Sequence, residues 1–316
     1  MISDFARRPF GALPLVVYDL SRWDRYLLPM LVPDAIRLPL NPGESKDDIL
    51  RRLPKDFAGT FAFHVNLTDS SHSPDDRADL VEALEGRGIP VLNAGIIDIS
   101  KRFVQATCRG ADLMTTSAPR EGEASEVLIV KTDRNYGGKP EMQVADEVRG
   151  VLTFSEHPIH DGGDHGYLVA PRREVPSEVW DDPDYVVERY VENARRLFYR
   201  VYVFCDRIAI SEGIHDTFVK AIRHSQRQRL LLFTVANRRA DVSIPADLGP
   251  LVEATIRFSD LARLDFGCLD VMRDEQGRFY IVDMNSTASW GPETEYRILQ
   301  YLSPHGAPAT GVAAAS

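Results

Sequence analysis

One stretch near the C-terminal end constrains this chain more than any other: DFGCLDVMRDEQGRFYIVDMNSTASWG, residues 265–291. Two runs rich in β-branched and aromatic residues flank Asp274, Glu275, Gln276 and Gly277, which is turn chemistry, so the segment is predicted to fold as a β-hairpin. A turn centred there sets Cys268 opposite Asp283 and Asp270 opposite Ile281. Side chains alternate across a strand, so Asp270, Asp283 and Asn285 share one face with Cys268, Met272, Phe279 and Ile281, the two acids lying diagonally about 7–8 Å apart. Two carboxylates on an apolar face repel each other and lose hydration, a combination that a bound cation relieves. Carboxylate and amide oxygens suit Mg²⁺, which takes one or two carboxylates from protein and completes its shell with water and phosphate oxygens. A hairpin whose polar face meets solvent would give the same spacing, so the pattern alone leaves both readings open.

Upstream, EVLIVKTDRNYGGKPE ends an apolar strand in Lys131 and follows it with a turn containing Asn135, Gly137 and Gly138. A lysine ammonium can sit on a phosphate as a point charge, and consecutive glycines let backbone N–H groups approach phosphate oxygens. A solvated strand end and an ordinary turn are the plainer alternatives. VVERYVEN places Glu188 and Glu192 around another apolar run; one carboxylate can take the amino group of adenine and the other ribose hydroxyls, unless this is simply a surface strand. RRLFYRVYVFCDRIAIS then reads as a hairpin with Arg200 on its first strand, and Arg223 follows some twenty residues later. Both arginines could hold an anion through forked hydrogen bonds.

The first hundred residues alternate strand and helix signals: Leu13 to Tyr18, Thr60 to Leu67 and Pro90 to Asn93 as strands, with a helical period over Asp75 to Gly88. They predict a small α/β module without a glycine-rich dinucleotide fingerprint or a P-loop. A helix is expected from Asp98 or Ser100 to Gly110, and an amphipathic stretch from Pro250 to Leu264. The final segment, residues 303–316, is rich in Ala, Gly and Pro and reads as a frayed tail. With 316 residues and 44% hydrophobic content the chain can bury a substantial core in two or three modules. A net charge of −10 makes a nucleic-acid backbone a repelled partner. Three scattered cysteines (Cys108, Cys205 and Cys268) argue for buried thiols in a reducing compartment, and no apolar run is long enough to span a bilayer, so a soluble cytoplasmic protein is expected.

Taken in order, Lys101 in a helix, Lys131 with the loop at Gly137 and Gly138, Glu188, Arg200, and then Asp270, Asp283 and Asn285 resemble the ATP-grasp superfamily over nearly the whole chain. The resemblance implies an α/β and α+β architecture. Residues 1–96 would form a small module preceding the ATP-grasp lobes, 97–186 the first lobe, and 187–302 the second lobe with the metal site. It implies that Lys101 and Lys131 contact ATP phosphates under a loop carrying Gly137 and Gly138. Glu188 would meet adenine, with backbone groups of Tyr190 and Val191 completing the hinge, and Glu192 the ribose. Asp270, Asp283 and Asn285 would bind two Mg²⁺ ions. The family's closing signature commonly reads Glu-x-Asn; here Asp283, Met284 and Asn285 stand there with a shorter acid. Cys268 occupies the position where relatives resembling D-alanine ligase carry an arginine, whereas Arg200 and Arg223 look more like the glutathione synthetase and glutamate-ligase branches.

The implied activity is an ATP-dependent ligase joining a small-molecule carboxylate to an amine through an acyl phosphate, with Arg200 and Arg223 stabilising the anionic transition state. A kinase that stops at phosphoryl transfer to a hydroxyl, and a catalytically silent ATP-binding protein, are the alternatives. His157, His160, Asp161, Asp164 and His165 could offer ligands to zinc, although a polar loop gives the same composition.

Overall fold

The computed structural model describes residues 15–19, 35–39, 44–65, 74–134, 167–215, 225–234, 239–240 and 244–287, together with Leu28, Val32, Asn41 and Thr68. Gly137, Gly138, Arg223, the histidine cluster at 157–165 and the tail at 303–316 lie outside them.

The N-terminal module is a parallel sheet in the order β2-β1-β3-β4, built from β1 (Leu15–Asp19), β2 (Ile36–Pro39), β3 (Thr60–His64) and β4 (Val91–Leu92). Its strands are continuous apolar runs because both faces are covered. Val16, Tyr18, Phe61 and Phe63 pack under helices α1 (Lys46–Arg52) and α2 (Pro74–Glu85), through Ile49, Leu80 and Leu84. Leu15, Val17 and Ala62 turn the other way, onto Tyr202, Phe204 and Phe266 of the rest of the chain. Helix α1 starts at a reciprocal cap in which Ser45 Oγ accepts from the Asp48 N–H and the Asp48 carboxylate accepts from the Ser45 N–H. Sequence periodicity had not marked α1 or β2, both being short and surrounded by charged residues.

A three-stranded antiparallel sheet, β6-β5-β7, comprises β5 (Val127–Thr132), β6 (Leu168–Pro171) and β7 (Tyr185–Arg189). Leu128 and Val130 point to one side, against Val175, Val179 and Tyr185, and the alternation sends Ile129 and Lys131 to the other.

The largest sheet is antiparallel and six-stranded, in the order β11-β10-β9-β8-β12-β13. Its strands are β8 (Leu197–Phe204), β9 (Arg207–His215), β10 (Ser225–Thr234), β11 (Arg239–Ala240), β12 (Phe266–Arg273) and β13 (Phe279–Asn285). Two helices, α3 (Lys101–Gly110) and α4 (Gly249–Ala262), cover one face, on which Tyr199, Val201, Leu269, Val271, Ile281 and Met284 meet Val104, Cys108, Leu251 and Phe258. Phe198, Met272 and Tyr280 gather on the opposite face with Val191 and Val282. All three cysteines are free and buried, as their scatter led us to expect.

The hairpin is present, but its register differs from the sequence expectation. Its turn closes one residue later, Arg273 pairing with Phe279, with Gly277 in the left-handed region at φ +83° and its N–H on the Asp274 carbonyl. A β-bulge then inserts Val282, so Asp270 stands opposite Asp283 rather than Ile281, and Cys268 opposite Asn285 rather than Asp283. The two shifts move Phe279 and Ile281 to the helix-covered face, while Asp283 stays on the same face as Asp270. A longer turn alone would have flipped Asp283 away; the bulge restores it. Close approach of the two strands also requires Gly267, because a Cβ there would lie 2.5 Å from the Asn285 carbonyl oxygen.

Candidate active site

A pocket of roughly 680 Å³, counting its open mouth, lies between the outer face of the three-stranded sheet and the uncovered face of the large one. Ile129, Lys131 and Glu188 form one wall; Phe198, Asp270, Met272, Val282 and Asp283 form the other. Its lining mixes the apolar side chains of Ile129, Phe198, Met272 and Val282 with the charged ones of Lys101, Lys131, Glu188, Asp270 and Asp283.

A row of charged side chains runs across three strands. Arg200 on β8 is the cross-strand partner of Asp270 on β12, and Asp270 is the partner of Asp283 on β13. Arg200 Nε lies 2.9 Å from Asp270 Oδ1, a charge contact without the alignment of a good hydrogen bond. Burial pushes the Asp270 carboxyl up to about 6; Arg200 pulls it down and Asp283 raises it further. Asp283 Oδ1 is buried with no hydrogen-bond partner among the described residues. Facing carboxylates with an unmet oxygen between apolar walls are the environment that a divalent cation stabilises. Among the described residues no three His, Cys, Asp or Glu side chains form a preformed cage. Two acids fit Mg²⁺ that draws its remaining ligands from water and phosphate, so the donor set suits the ion. Asn285 shares the face of Asp283 by alternation but does not line the pocket. Cys268 does not supply a nucleophile, since burial pushes its thiol up to about 12.

Lys131 enters from β5, with Nζ 2.5 Å from Glu188 Oε2; both side chains are almost wholly enclosed. Glu188 Oε1 is buried with no hydrogen-bond partner among the described residues. Lys101 reaches the same pocket from the first residue of α3, its Nζ donating to the Arg134 carbonyl at 2.9 Å. Ser100 caps this helix, its hydroxyl accepting from the Phe103 N–H. A buried lysine at a helix N-terminus adds to the positive end of the helix dipole, which is unfavourable unless an anion binds there. Lys101, Lys131 and the α3 N-terminus therefore border the pocket that also holds the two carboxylates, a combination that suits a metal-bound phosphate chain.

In fold, the chain is similar to ATP-grasp ligases. The structure of ATP-grasp ligase PsnB complexed with minimal precursor, Mg and ADP matches with a TM-score of 0.48 at 14% identity, over 90% of this chain and 91% of that one. N5-carboxyaminoimidazole synthetase from Staphylococcus aureus complexed with ADP matches with a TM-score of 0.47 at 11% identity, over 91% and 70%. L-amino acid ligase from Bacillus licheniformis gives 0.45 at 12% identity, over 87% and 67%. No protein-family model matches the sequence, and no curated protein matches it.

Of the residues expected from the ATP-grasp resemblance, Lys101, Lys131, Glu188, Tyr190, Val191, Asp270 and Asp283 line this single pocket. Arg200 stands behind Asp270 instead of in the lining. Glu192 is exposed and lines a neighbouring hollow, which shares Tyr190 and Val191 with the pocket. The Tyr190 N–H is already bonded to the Val127 carbonyl at 3.1 Å, whereas the Val191 N–H has no backbone acceptor among the described residues. Gly137, Gly138 and Arg223 fall outside the described residues.

Three pocket features escaped sequence reasoning. Tyr167 precedes β6, its phenol pushed up to about 12, mainly by burial and also by the Asp283 charge. Thr116 lines the pocket from a polar loop that carried no periodic signal. Gln105, buried on α3 one turn beyond Lys101, donates to the Ile281 carbonyl at 3.0 Å and accepts from the Thr116 N–H at 2.8 Å and from Thr115 Oγ1 at 2.9 Å. It thereby joins the lysine helix, the strand of Asp283 and the loop that pairs with β7 at Glu188. A glutamine on a helix reads as a surface residue, and only the packing of α3 on β13 turns it inward.

Proposed function

We propose that this protein is an ATP-dependent ligase that activates a carboxylate as an acyl phosphate and couples it to an amine, releasing ADP and phosphate. The observation that carries the reading is the convergence of Lys101 and Lys131 with the facing pair Asp270 and Asp283 in one pocket that also has apolar walls. That mixture suits a nucleotide, with the base between Ile129 and Met272 and the phosphates toward the acids. Residues 1–96, 97–186 and 187–302 serve in this reading as the preceding module and the two lobes.

Asp270 and Asp283 would hold Mg²⁺, with Asn285 completing the set, and two ions are consistent with these donors once phosphates are present. When bound, the metal supplies charge neutralisation as the terminal phosphoryl group moves. Lys131 leaves Glu188 for a phosphate oxygen, Lys101 takes another, and Glu188 then accepts from the exocyclic amino group of adenine. Glu192 holds the ribose and Val191 presents its N–H to the base edge. A substrate carboxylate oxygen attacks the terminal phosphorus, and the bond to ADP breaks. The amine then attacks the acyl carbon, loses a proton, and expels phosphate. Arg200 orients Asp270 and, with Arg223, balances the anionic charge. The role over the phosphates that the resemblance gives to Gly137 and Gly138 falls outside the described residues.

The test is ADP and phosphate release with Mg²⁺ across pools of carboxylates and amines. A ligase needs both substrates for turnover and liberates phosphate with the coupled product. Stable phosphorylated product without an amine would replace this reading with a kinase, and no turnover at all despite nucleotide binding would replace it with a silent binder.

A further inference from the structure

The β-bulge at Val282 sets Asp283 opposite Asp270, and it lies on β13, the outermost strand of its sheet. A bulge leaves one residue unpaired and loosens the ladder around it, and an edge strand has no neighbour on its far side to hold it. Regular pairing onward from Val271 and Ile281 would put Val282 opposite Asp270 and Asp283 opposite Leu269, on the face that the helices cover. The carbonyl of Ile281, the residue just before the bulge, accepts from Gln105 Nε2 at 3.0 Å. Gln105 is 3% exposed and stands one turn beyond Lys101 on the same side of α3. Its amide can be oriented in only one way, because Oε1 accepts from the Thr116 N–H at 2.8 Å and from Thr115 Oγ1 at 2.9 Å, and an amide nitrogen cannot accept. Beyond that loop, the Thr116 carbonyl accepts from the Arg189 N–H and Ser117 bridges to Glu188. One enclosed amide thus connects the strand of Asp283 with the strand of Glu188, one in each wall of the pocket.

We propose that Gln105 is a positioning residue for the metal: by holding the Ile281 carbonyl it keeps the bulge in place, and with it Asp283 on the face of Asp270. The proposal rests on the nucleotide and Mg²⁺ site described above. Gln105 does not itself line the pocket, so it acts through Asp283. What it sets is the extent to which Mg²⁺ strengthens nucleotide binding.

The experiment is calorimetric titration of ADP, once with Mg²⁺ and once with EDTA, into wild type, Gln105→Glu, Gln105→Met and Thr115→Val, with melting temperatures to show how far each variant is loosened. The ratio of the two affinities measures what the metal adds, and a loss common to both conditions cancels in it. Glutamate keeps the acceptors for Thr115 and Thr116 but turns an oxygen toward the Ile281 carbonyl, so Gln105→Glu should lower the ratio about tenfold or more. Its added negative charge would by itself favour a cation, so charge cannot account for the fall. Gln105→Met, neutral and of similar length, should lower the ratio at least as far, and it decides alone if the glutamate is not tolerated. Thr115→Val cuts a bond only on the loop side and should keep the ratio within about twofold of wild type. An unchanged ratio in the Gln105 variants overturns the proposal, as does an equal fall in Thr115→Val, which general loosening would produce. Wild type that binds ADP no tighter with Mg²⁺ overturns the metal site itself, and the role of Gln105 with it.

Discussion

Asp270 and Asp283 face each other as direct partners across β12 and β13, with Arg200 on the far side of Asp270 as the adjacent cationic group. One arginine cannot balance two enclosed carboxylates, so the strand pair stores a repulsion that a bound metal releases. Asp283→Asn keeps the shape and removes one charge. Its Mg²⁺-dependent ADP release should fall by at least about 100-fold, while the metal-free protein melts no lower than wild type. Full turnover in this variant would remove the metal assignment.

The raised Asp270 carboxyl gives this region a pH signature. Its folded value of about 6 lies above the ordinary 3.8 of an aspartate, so on acidification the fold takes up a proton that the unfolded chain has not yet bound. The contribution of this group to stability therefore rises as pH falls through 6, and above 6 it is unfavourable. Without metal, the melting temperature of wild type relative to Asp270→Asn should climb from pH 7 to pH 5. Mg²⁺ competes with the same proton, so its apparent affinity should weaken on acidification, by up to about tenfold per pH unit below 6. A flat difference curve across this range would refute the assignment.

Lys131 and Glu188 neutralise each other inside the pocket. Removing one partner strands a buried charge, so Lys131→Met should destabilise the protein by about 3–5 kcal/mol, and Lys131→Met with Glu188→Gln by much less. Denaturant midpoints of the three proteins check this. Both variants should lose ATP turnover, since the double substitution repairs the electrostatics without restoring a phosphate ligand.

Asn93 fastens the N-terminal module to the large sheet. Its amide oxygen accepts from the N–H groups of Asp265 and Phe266 at 2.9 and 3.1 Å, its amide nitrogen donates to the Phe266 carbonyl, and its own N–H donates to Asp265 Oδ2. It does this at φ +54°, which asparagine tolerates better than most residues. Asn93→Ala loses the side-chain bonds and meets backbone strain, so a loss of about 2–4 kcal/mol in chemical denaturation is expected. Asn93→Gly relieves the strain alone and should recover only part of it.

Much of the architecture was legible because local chemistry decided it. The strands around Lys131, Glu188 and Arg200 are apolar runs bounded by turn residues, and α3 starts directly after its cap Ser100 and ends at Gly110. Strand β10 was hidden: its first half, Ser225 to Arg229, is polar and basic, and pairing with β9 rather than composition makes it a strand.

For the site itself, the sequence determined which residue types were present: two acids on hairpin-forming strands, two lysines at element ends, and a glutamate on an apolar strand. Only the tertiary structure decided their pairing. A bulge at Val282 has no signature in residue identity, because it reflects how two twisted strands fit against a helix and a second sheet, yet it turns diagonal acids into facing ones. The inward course of Gln105 has the same origin. A polar side chain is buried or exposed according to what packs over it, and that depends on residues more than a hundred positions away.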